Sequence, residues 1–447
     1  MSTDQNIKRA SWGMYPRAPQ VMRRLLSRHD DLPVRDGETL LPYGLGRSYG
    51  DSCLNSDGVL LSTAALDRFI AFDEATGELT AEAGVTFAAI IDLLAPRGWF
   101  LPVVPGTKFV TLAGAIANDV HGKNHHGAGT FGCHVISFEL LTSDGQRRNC
   151  SRDENAELFE ATIGGLGLTG FITKATIKMM PVASAFLVGQ SVRFDNLDEF
   201  FAVAAASVGD YDYTVSWIDC LAGGHALGRG HFLRANVASA DEAKGRRKPL
   251  VVPLTVPVMP PVSLVNRLTL KAFNTVYYQR QQRDVVQRLW HYDAFHFPLD
   301  AISHWNRIYG PKGFLQYQCV VPRAVQHGVS RALLREIEQS AQGSFLVVFK
   351  TFGRIRSPGL LSFPVEGATL ALDFPIVGPS TFALLTRLDA IVAEAGGRVY
   401  PAKDARMSRE SFETFYPRLS EFRKFMDPGI KSDFSTRVLG KNLCSGL

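Results

Sequence analysis

The stretch Ile163–Met180, IGGLGLTGFITKATIKMM, decides the fold. Gly165, Gly167 and Gly170 stand at the spacing of a dinucleotide fingerprint, which requires a strand before it and a helix after it. The residues after Gly170 are not helical in pattern. Thr173, Ala175, Ile177 and Met179 alternate with Lys174, Thr176 and Lys178, the two-residue period of a strand. A nicotinamide-type doubly wound sheet is therefore disfavoured. Upstream, FIAFDEATGELTAEAGV predicts a hairpin turning near Thr76 and Gly77, and TFAAIIDLLAPRG predicts a helix. In that helix Phe87, Ile90, Ile91 and Leu94 share one face, Thr86 suits the N-cap and Gly98 the stop. HVISFELLTSDGQRRNC predicts a further strand and turn at Ser143, Asp144 and Gly145. The class is mixed α+β, without regular alternation of strand and helix.

Beyond Pro181 the strands YTVSWID, FLQYQCVVP, SFLVVFKTFG and ATLALDFPI alternate with helical stretches near Ala324 to Ser340 and Phe382 to Ala395, which implies a second α+β domain. The tail from Ser408 to Gly440 is helical in pattern and suited to docking back on the first domain. One segment stands apart: eighteen residues between Lys248 and Arg267 carry no charge, and prolines at 249, 253, 257, 260 and 261 forbid a regular helix. It is either a loop folded over the second domain or a mobile apolar flap. In the second case Lys244, Arg246, Arg247 and Lys248 would anchor it near anionic lipid headgroups.

The length of 447 residues suggests two or three domains, and 46% hydrophobic against 20% charged residues excludes a disordered chain. Lysines and arginines are scattered and the net charge is only +5, so no nucleic-acid partner is expected. The six cysteines form no CxxC or other short metal spacing, which favours a reducing compartment. The first twenty residues lack the apolar core of a signal peptide, so a cytoplasmic location is expected.

Three glycine-rich runs carry the functional signal. PYGLGRSYGDSCLN offers successive backbone N–H groups, with Ser48 and Asp51 nearby, and is either a pyrophosphate nest or a tight interstrand turn. PGTKFVTLAGAIAND adds Gly106, Thr107, Thr111 and Gly114 as a second anion loop. DVHGKNHHGAG places three histidines among glycines. His121 and His125 have the i, i+4 spacing of zinc ligands on a helix, but Gly122 and Gly127 argue against a helix there, and no cysteine pair is near. No metal is expected.

Taken in order, GLGRSYGD, PGT with VTLAGAIANDVHGKNHHGAGTFG, GGLGLTG, YGPKGFLQYQ, LDFPI and YPAKDAR resemble the decaprenylphosphoryl-β-D-ribose oxidase family. These are flavoenzymes related to vanillyl alcohol oxidase, and the resemblance runs from about Trp12 to Gly440. It implies a two-domain vanillyl-alcohol-oxidase-like (PCMH-type) FAD-binding fold. The FAD-binding domain would span 1–185 and the substrate domain, on an antiparallel sheet, 186–395. Residues 396–447 would return to the FAD domain.

The resemblance also implies the site. FAD would be held by Gly44, Gly46, Arg47, Ser48, Tyr49, Gly50 and Asp51, by Gly106, Thr107, Thr111 and Gly114, and by Asn118, Asp119, Val120, His121 and Gly122. Gly170 and Ile172 would lie near the adenosine, and Tyr400 against the flavin. Many relatives in the wider superfamily link the flavin to a histidine where this chain has Arg47, so non-covalent FAD is implied. Lys403 would supply the fixed cation that stabilises reduced flavin, and His121 a base or hydrogen-bonding group beside the reacting hydroxyl. Lys123, His125 and His126 are either further participants or loop structure. Tyr309, Gln316, Gln318 and Lys350 would meet the substrate, although Gln316 and Gln318 also have the ordinary spacing of one strand face. In actinobacterial members a cysteine stands where this chain has Ala371, so the pocket wall differs.

The implied reaction is oxidation of the ribose C2 hydroxyl of a polyprenylphosphoryl-β-D-ribose to the 2-keto sugar. A short-chain NAD(P)H reductase would complete the epimerisation to arabinose, and quinone or oxygen would be the electron acceptor. Peripheral membrane contact is expected from the lipid. The alternatives are a soluble alditol or sugar-lactone oxidase of the same superfamily, and a flavin-binding protein without turnover.

Overall fold

Phe171–Lys178, the strand directly after Gly170, is the middle of a five-stranded antiparallel sheet in the order Phe69–Asp73, Glu78–Glu82, Phe171–Lys178, Val135–Leu141, Arg147–Ser151. Ala175 and Ile177 are buried in it while Lys174, Thr176 and Lys178 are not, as the alternation predicts. The structure is a computed structural model and describes residues 4–7, 11–250 and 254–440. Val251, Val252 and Pro253 of the apolar segment, Cys444, and parts of both termini lie outside the described residues.

Against this sheet packs the helix Phe87–Leu94, with Phe87, Ile90, Ile91 and Leu94 buried and the Thr86 hydroxyl accepting from the Ala89 N–H. A smaller sheet orders Gln5–Ile7, Gln20–Arg24, Val59–Ser62 and Leu40–Tyr43, the last three mutually parallel. One apolar core joins these elements to the short helix Leu112–Ala117.

The second domain is an eight-stranded antiparallel sheet in the order Val285–His291, Phe186–Phe194, Gly230–Val237, Tyr213–Ile218, Val347–Phe352, Gly367–Pro375, Phe314–Pro322, Arg398–Val399. The last of these strands lies past the expected domain limit at 395. Strand period sorts the sheet's two faces. Leu315, Tyr317, Cys319, Phe349, Leu370 and Leu372 share a core with Leu333, Ile337, Leu384 and Leu388 of the helices Gln326–Ser340 and Pro379–Glu394. Gln316, Gln318, Lys350, Thr369, Ala371 and Asp373 are thereby turned to the opposite face.

The chain then crosses back. Leu40 donates its N–H to Gly429 O at 2.8 Å and accepts from Lys431 N at 2.9 Å, and the helix Asp433–Leu439 carries Arg437 to Asp51. From Leu254 to Pro257 the apolar segment is tied down: Leu254–Thr255 pairs parallel with Ile302–Ser303, and the Arg307 guanidinium donates to the carbonyls of Val256 and Pro257. Its outer side stays open, with Leu250 97%, Val258 74% and Val262 67% exposed. Among the described residues no helix is long and apolar enough to cross a membrane.

Candidate active site

The polar face of the large sheet looks toward the glycine loops of the first domain, and the turn after Arg398–Val399 closes the space between them. Gln316 sits directly across from Asp373 in the strand register, and Gln318 across from Ala371, whose other neighbour is Val348. Gln316 Nε2 donates to Asp373 Oδ1 at 2.7 Å and the Tyr309 hydroxyl to Asp373 Oδ2 at 3.2 Å. Tyr309 is locked by stacking on Phe314, with ring centroids 4.1 Å apart. Lys403 enters from the turn, its Nζ 3.9 Å from the centre of the Tyr49 ring. That turn is fixed by the Tyr49 N–H donating to Ala402 O at 3.0 Å.

Burial dominates the electrostatics here. It pushes the Asp373 carboxyl up to about 6, even with Gln316, Tyr309 and Lys403 favouring the charge. It pulls the Lys403 ammonium down to about 8, with Asp373 opposing. The Lys350 ammonium falls to about 7 because burial is reinforced by the positive charges of Lys123 and Lys403. Its Nζ donates to Gly122 O at 2.5 Å. A buried, mutually repelling set of cations is costly, and an anion beside them would offset that cost.

The histidine run divides by function. His121 pairs through its backbone with Thr130 in an isolated bridge, and its imidazole lies among Phe352, Phe363 and Tyr400. Its Nε2 is 2.9 Å from Gln318 Nε2, and its Nδ1 is buried with no partner in the protein. Desolvation, ahead of the Lys350, His125 and Lys403 charges, lowers its proton affinity strongly, so the ring is neutral.

The other members of the run join the domains. Lys123 Nζ donates to the carbonyls of Phe295 and His296 at 2.7 and 2.9 Å. His125 Nδ1 accepts from the Gly353 N–H, and His126 Nε2 lies 2.8 Å from Tyr211 O. His125 begins a single helical turn, His125–Ala128, while His121 is extended, so the two do not share a helix face. No group of His, Cys, Asp and Glu among the described residues could hold a metal.

The glycine loops form a cradle. Gly44 lies so close to Thr111 that a Cβ would come within 2.6 Å of its hydroxyl, and Thr111 caps the helix Leu112–Ala117 by accepting from the Gly114 N–H. A cavity of about 260 Å³ opens there, lined by Gly44, Leu45, Thr63, Gly84, Thr86 and Thr111 among others. Gly106 faces open space. Gly170 and Ile172 do not line this cavity; Ile172 lies in the five-stranded sheet paired with Leu140, and Gly170, just before that strand, abuts the Leu140 side chain. Arg47 stacks on Trp12 at 4.2 Å and leaves its buried Nε without a partner. Tyr400 donates its hydroxyl to Asn118 O at 2.6 Å, joining the turn of Lys403 to the segment before His121. Small residues for close approach and buried nitrogens without partners at Arg47 and His121 suit a flat, phosphate-bearing cofactor such as FAD.

Two motif residues are committed to the protein instead. Asp51 forms a bidentate pair with Arg437, both oxygens at 2.8 Å. Asp119, also buried, accepts from Ser357 and Ser362 at 2.5 and 2.6 Å and from the Gly132 N–H at 2.8 Å. They clamp segments around the site. The backbone groups of Val120 are likewise used within the protein, donating to Ala115 O and accepting from Phe131 N.

Sequence reasoning missed Asp373, Thr369 and Arg437. Asp373 had a signal: a carboxylate inside the strand GATLALDFP, apolar but for Thr369, has to be partnered or functional. Arg437, which bridges Asp51 to Asp404 beside Lys403, had none, because its partners are 386 and 33 residues away.

The FAD binding domain family matches residues 32–151. Over 439 residues the chain is 38% identical to a decaprenylphosphoryl-β-D-ribose oxidase of Mycolicibacterium smegmatis, covering 94% of this chain and 93% of that one. More distant similarity reaches an L-gulonolactone oxidase of Bos taurus, 30% identical over 37% of this chain and 36% of that protein. A D-arabinono-1,4-lactone oxidase of Yarrowia lipolytica is 24% identical over 42% of this chain and 36% of its own length.

Proposed function

The chain belongs to the decaprenylphosphoryl-β-D-ribose oxidase family, an FAD-dependent oxidoreductase, and from that premise we propose how its own residues oxidise the C2 hydroxyl of a polyprenylphosphoryl-β-D-ribose. The observation that carries the proposal is the polar face holding Gln316, Asp373, Gln318 and Lys350, set opposite Lys403 and the glycine cradle. Bound FAD supplies the acceptor for the hydrogen and electron pair that leave the sugar carbon.

Asp373 holds the hydroxyl proton on its carboxylate. Burial brings its proton affinity near that of the medium, which suits reversible transfer. Lys403 provides fixed positive charge where negative charge gathers during reduction. Gln316 and Tyr309 orient Asp373, and Ala371 leaves room beside Gln318 for the ring. Lys350 faces the phosphodiester, whose charge offsets its burial. Arg47 stands where linked relatives carry their histidine, so FAD is held non-covalently.

Oxidation is the chemically accessible way to invert this carbon. A C–H beside a hydroxyl is barely acidic, whereas the 2-keto sugar has lost its stereocentre and can be reduced from the other face. A short-chain NAD(P)H reductase performs that second half, and quinone or oxygen regenerates the oxidised cofactor. The lipid end of the substrate is met at the exposed apolar segment, Leu254 to Leu268, with Lys244, Arg246 and Arg247 beside it for anionic headgroups. The protein accordingly works as a peripheral protein on the cytoplasmic membrane face.

Trapping the product tests the assignment. Borodeuteride quenching of turnover on polyprenylphosphoryl ribose is expected to place deuterium at C2 in a mixture of ribose and arabinose. Deuterium at another carbon, or turnover of free alditols or sugar lactones alone, would contradict it and favour the soluble oxidase reading.

A further inference from the structure

His121 is neutral, so its chemistry depends on which nitrogen carries the proton, and that is legible in its surroundings. Thr369, on the strand beside Gln318, donates its single hydroxyl proton to Cys319 O at 2.8 Å. Its oxygen therefore presents lone pairs to the Gln318 side chain 3.4 Å away, which only the amide NH2 end can satisfy. The same NH2 reaches His121 Nε2 at 2.9 Å. An amide carbonyl turned that way would face the Thr369 lone pairs, so the amide orientation is set by the network. A nitrogen that accepts a hydrogen bond in a neutral imidazole is the bare one. The proton then sits on Nδ1, which is buried and has no acceptor in the protein. The rings of Phe352 and Tyr400, at 5.0 and 5.3 Å, hold the imidazole in place.

We infer that Gln318 and Thr369 are positioning residues that hold His121 as its Nδ1–H tautomer, so that His121 meets the site as a hydrogen-bond donor and not as a base. The acceptor of that hydrogen bond, cofactor or sugar oxygen, rests on the proposed function; the tautomer does not. The assignment also removes His121 from competition with Asp373 for the hydroxyl proton. Gln318 is consequently engaged on its donor side before any sugar arrives.

The direct test is nitrogen NMR of the FAD-loaded protein labelled with ¹⁵N-histidine, at neutral pH, with His121 assigned by its absence in His121→Asn. The expected spectrum shows Nδ1 protonated and Nε2 bare; the opposite pattern, or an imidazolium, overturns the inference. In Gln318→Leu and Thr369→Val the signature is expected to shift toward mixed tautomers. An unchanged Nδ1–H form in Gln318→Leu would show that the amide does not position the ring, and would also overturn it.

Kinetics give an independent arm, because an asparagine amide reaches only as far as Nδ1. His121→Asn is expected to reduce flavin within about tenfold of the wild type, while His121→Ala loses about 100-fold or more, the usual cost of one lost donor. Equal losses in the two variants would contradict a donor role. Absence of any reduction by the sugar in the wild type would sink the proposed function and leave the NMR result standing.

Discussion

At the scale of single residues, the site is built from charges that the fold alone would not choose. Lys350, Lys403 and Lys123 are buried with ammonium groups pulled down to about 7, 8 and 7, chiefly by desolvation. Each binds its proton less tightly folded than unfolded. The penalty is full below the folded value and is relieved as pH rises toward the ordinary lysine value of 10.5. Per lysine, stability should climb by about 1.4 kcal/mol per pH unit across that window. Lys350→Met is therefore expected to show a smaller gain in melting temperature, or a steeper loss, between pH 7 and pH 9.5 than the wild type. Parallel curves would argue against a buried cation. For Asp373 the sign is reversed. Its carboxyl is raised to about 6, so the folded protein holds the extra proton and stability falls as pH rises from the ordinary carboxylate value of 3.8 toward 6. Asp373→Asn is expected to remove that slope and to slow flavin reduction by about 100-fold or more. Stopped-flow reduction across pH 5–8 checks it: a wild-type rate falling below about pH 6 and a flat residual rate in the variant are the expected pair.

Elements place these residues, and they do so through contacts with no slack. Gly50 abuts the turn that carries Lys403, and a methyl there would run into the carbonyl oxygen of Asp404. Gly50→Ala is expected to displace that turn and abolish reduction by substrate, even in preparations that still bind FAD; near-normal rates would mean the turn is not held there. Thr111→Val removes the cap of Leu112–Ala117, costing about 1 kcal/mol of stability in the FAD-free protein. It should weaken FAD retention as well, read by fluorescence of released flavin. At this scale the sequence was informative where periodicity and caps act locally. The strand after Gly170, the helix capped by Thr86 and the shared face of Gln316 and Gln318 are all set by spacing alone. It was silent where a side chain is used at a distance. Asp51 and Asp119 read as cofactor contacts from their motifs, yet their carboxylates hold Arg437 and the serines Ser357 and Ser362, hundreds of residues away in the chain. Asp373 was hidden in plain view, inside a strand whose apolar neighbours draw the eye to packing.

The whole molecule adds what neither scale contains: the polar face of the large sheet set against the glycine loops, with the histidine loop and the returning C-terminal helix tying distant segments together. Lys123, His125 and His126 read as candidate chemistry, but their polar atoms bridge to Tyr211, Phe295, His296 and Gly353, far along the chain. Outside the site, Val258, Val262 and Leu268 each expose an apolar side chain, as the proposed lipid contact requires. Replacing these three together with serine is expected to reduce cosedimentation with anionic vesicles while leaving FAD content unchanged; undiminished binding would place the membrane contact elsewhere. Attachment of the cofactor is read from acid precipitation, where colour left in the supernatant is expected and a yellow pellet would indicate a covalent link. The central claim is that this site oxidises a lipid-linked ribose with FAD, and anaerobic titration of the FAD-loaded protein reads it most directly. Polyprenylphosphoryl ribose is expected to bleach the flavin's visible absorption in proportion to substrate added, while free alditols and sugar lactones leave it unchanged; a flavin bleached by the free sugars and untouched by the lipid-linked ribose would contradict it.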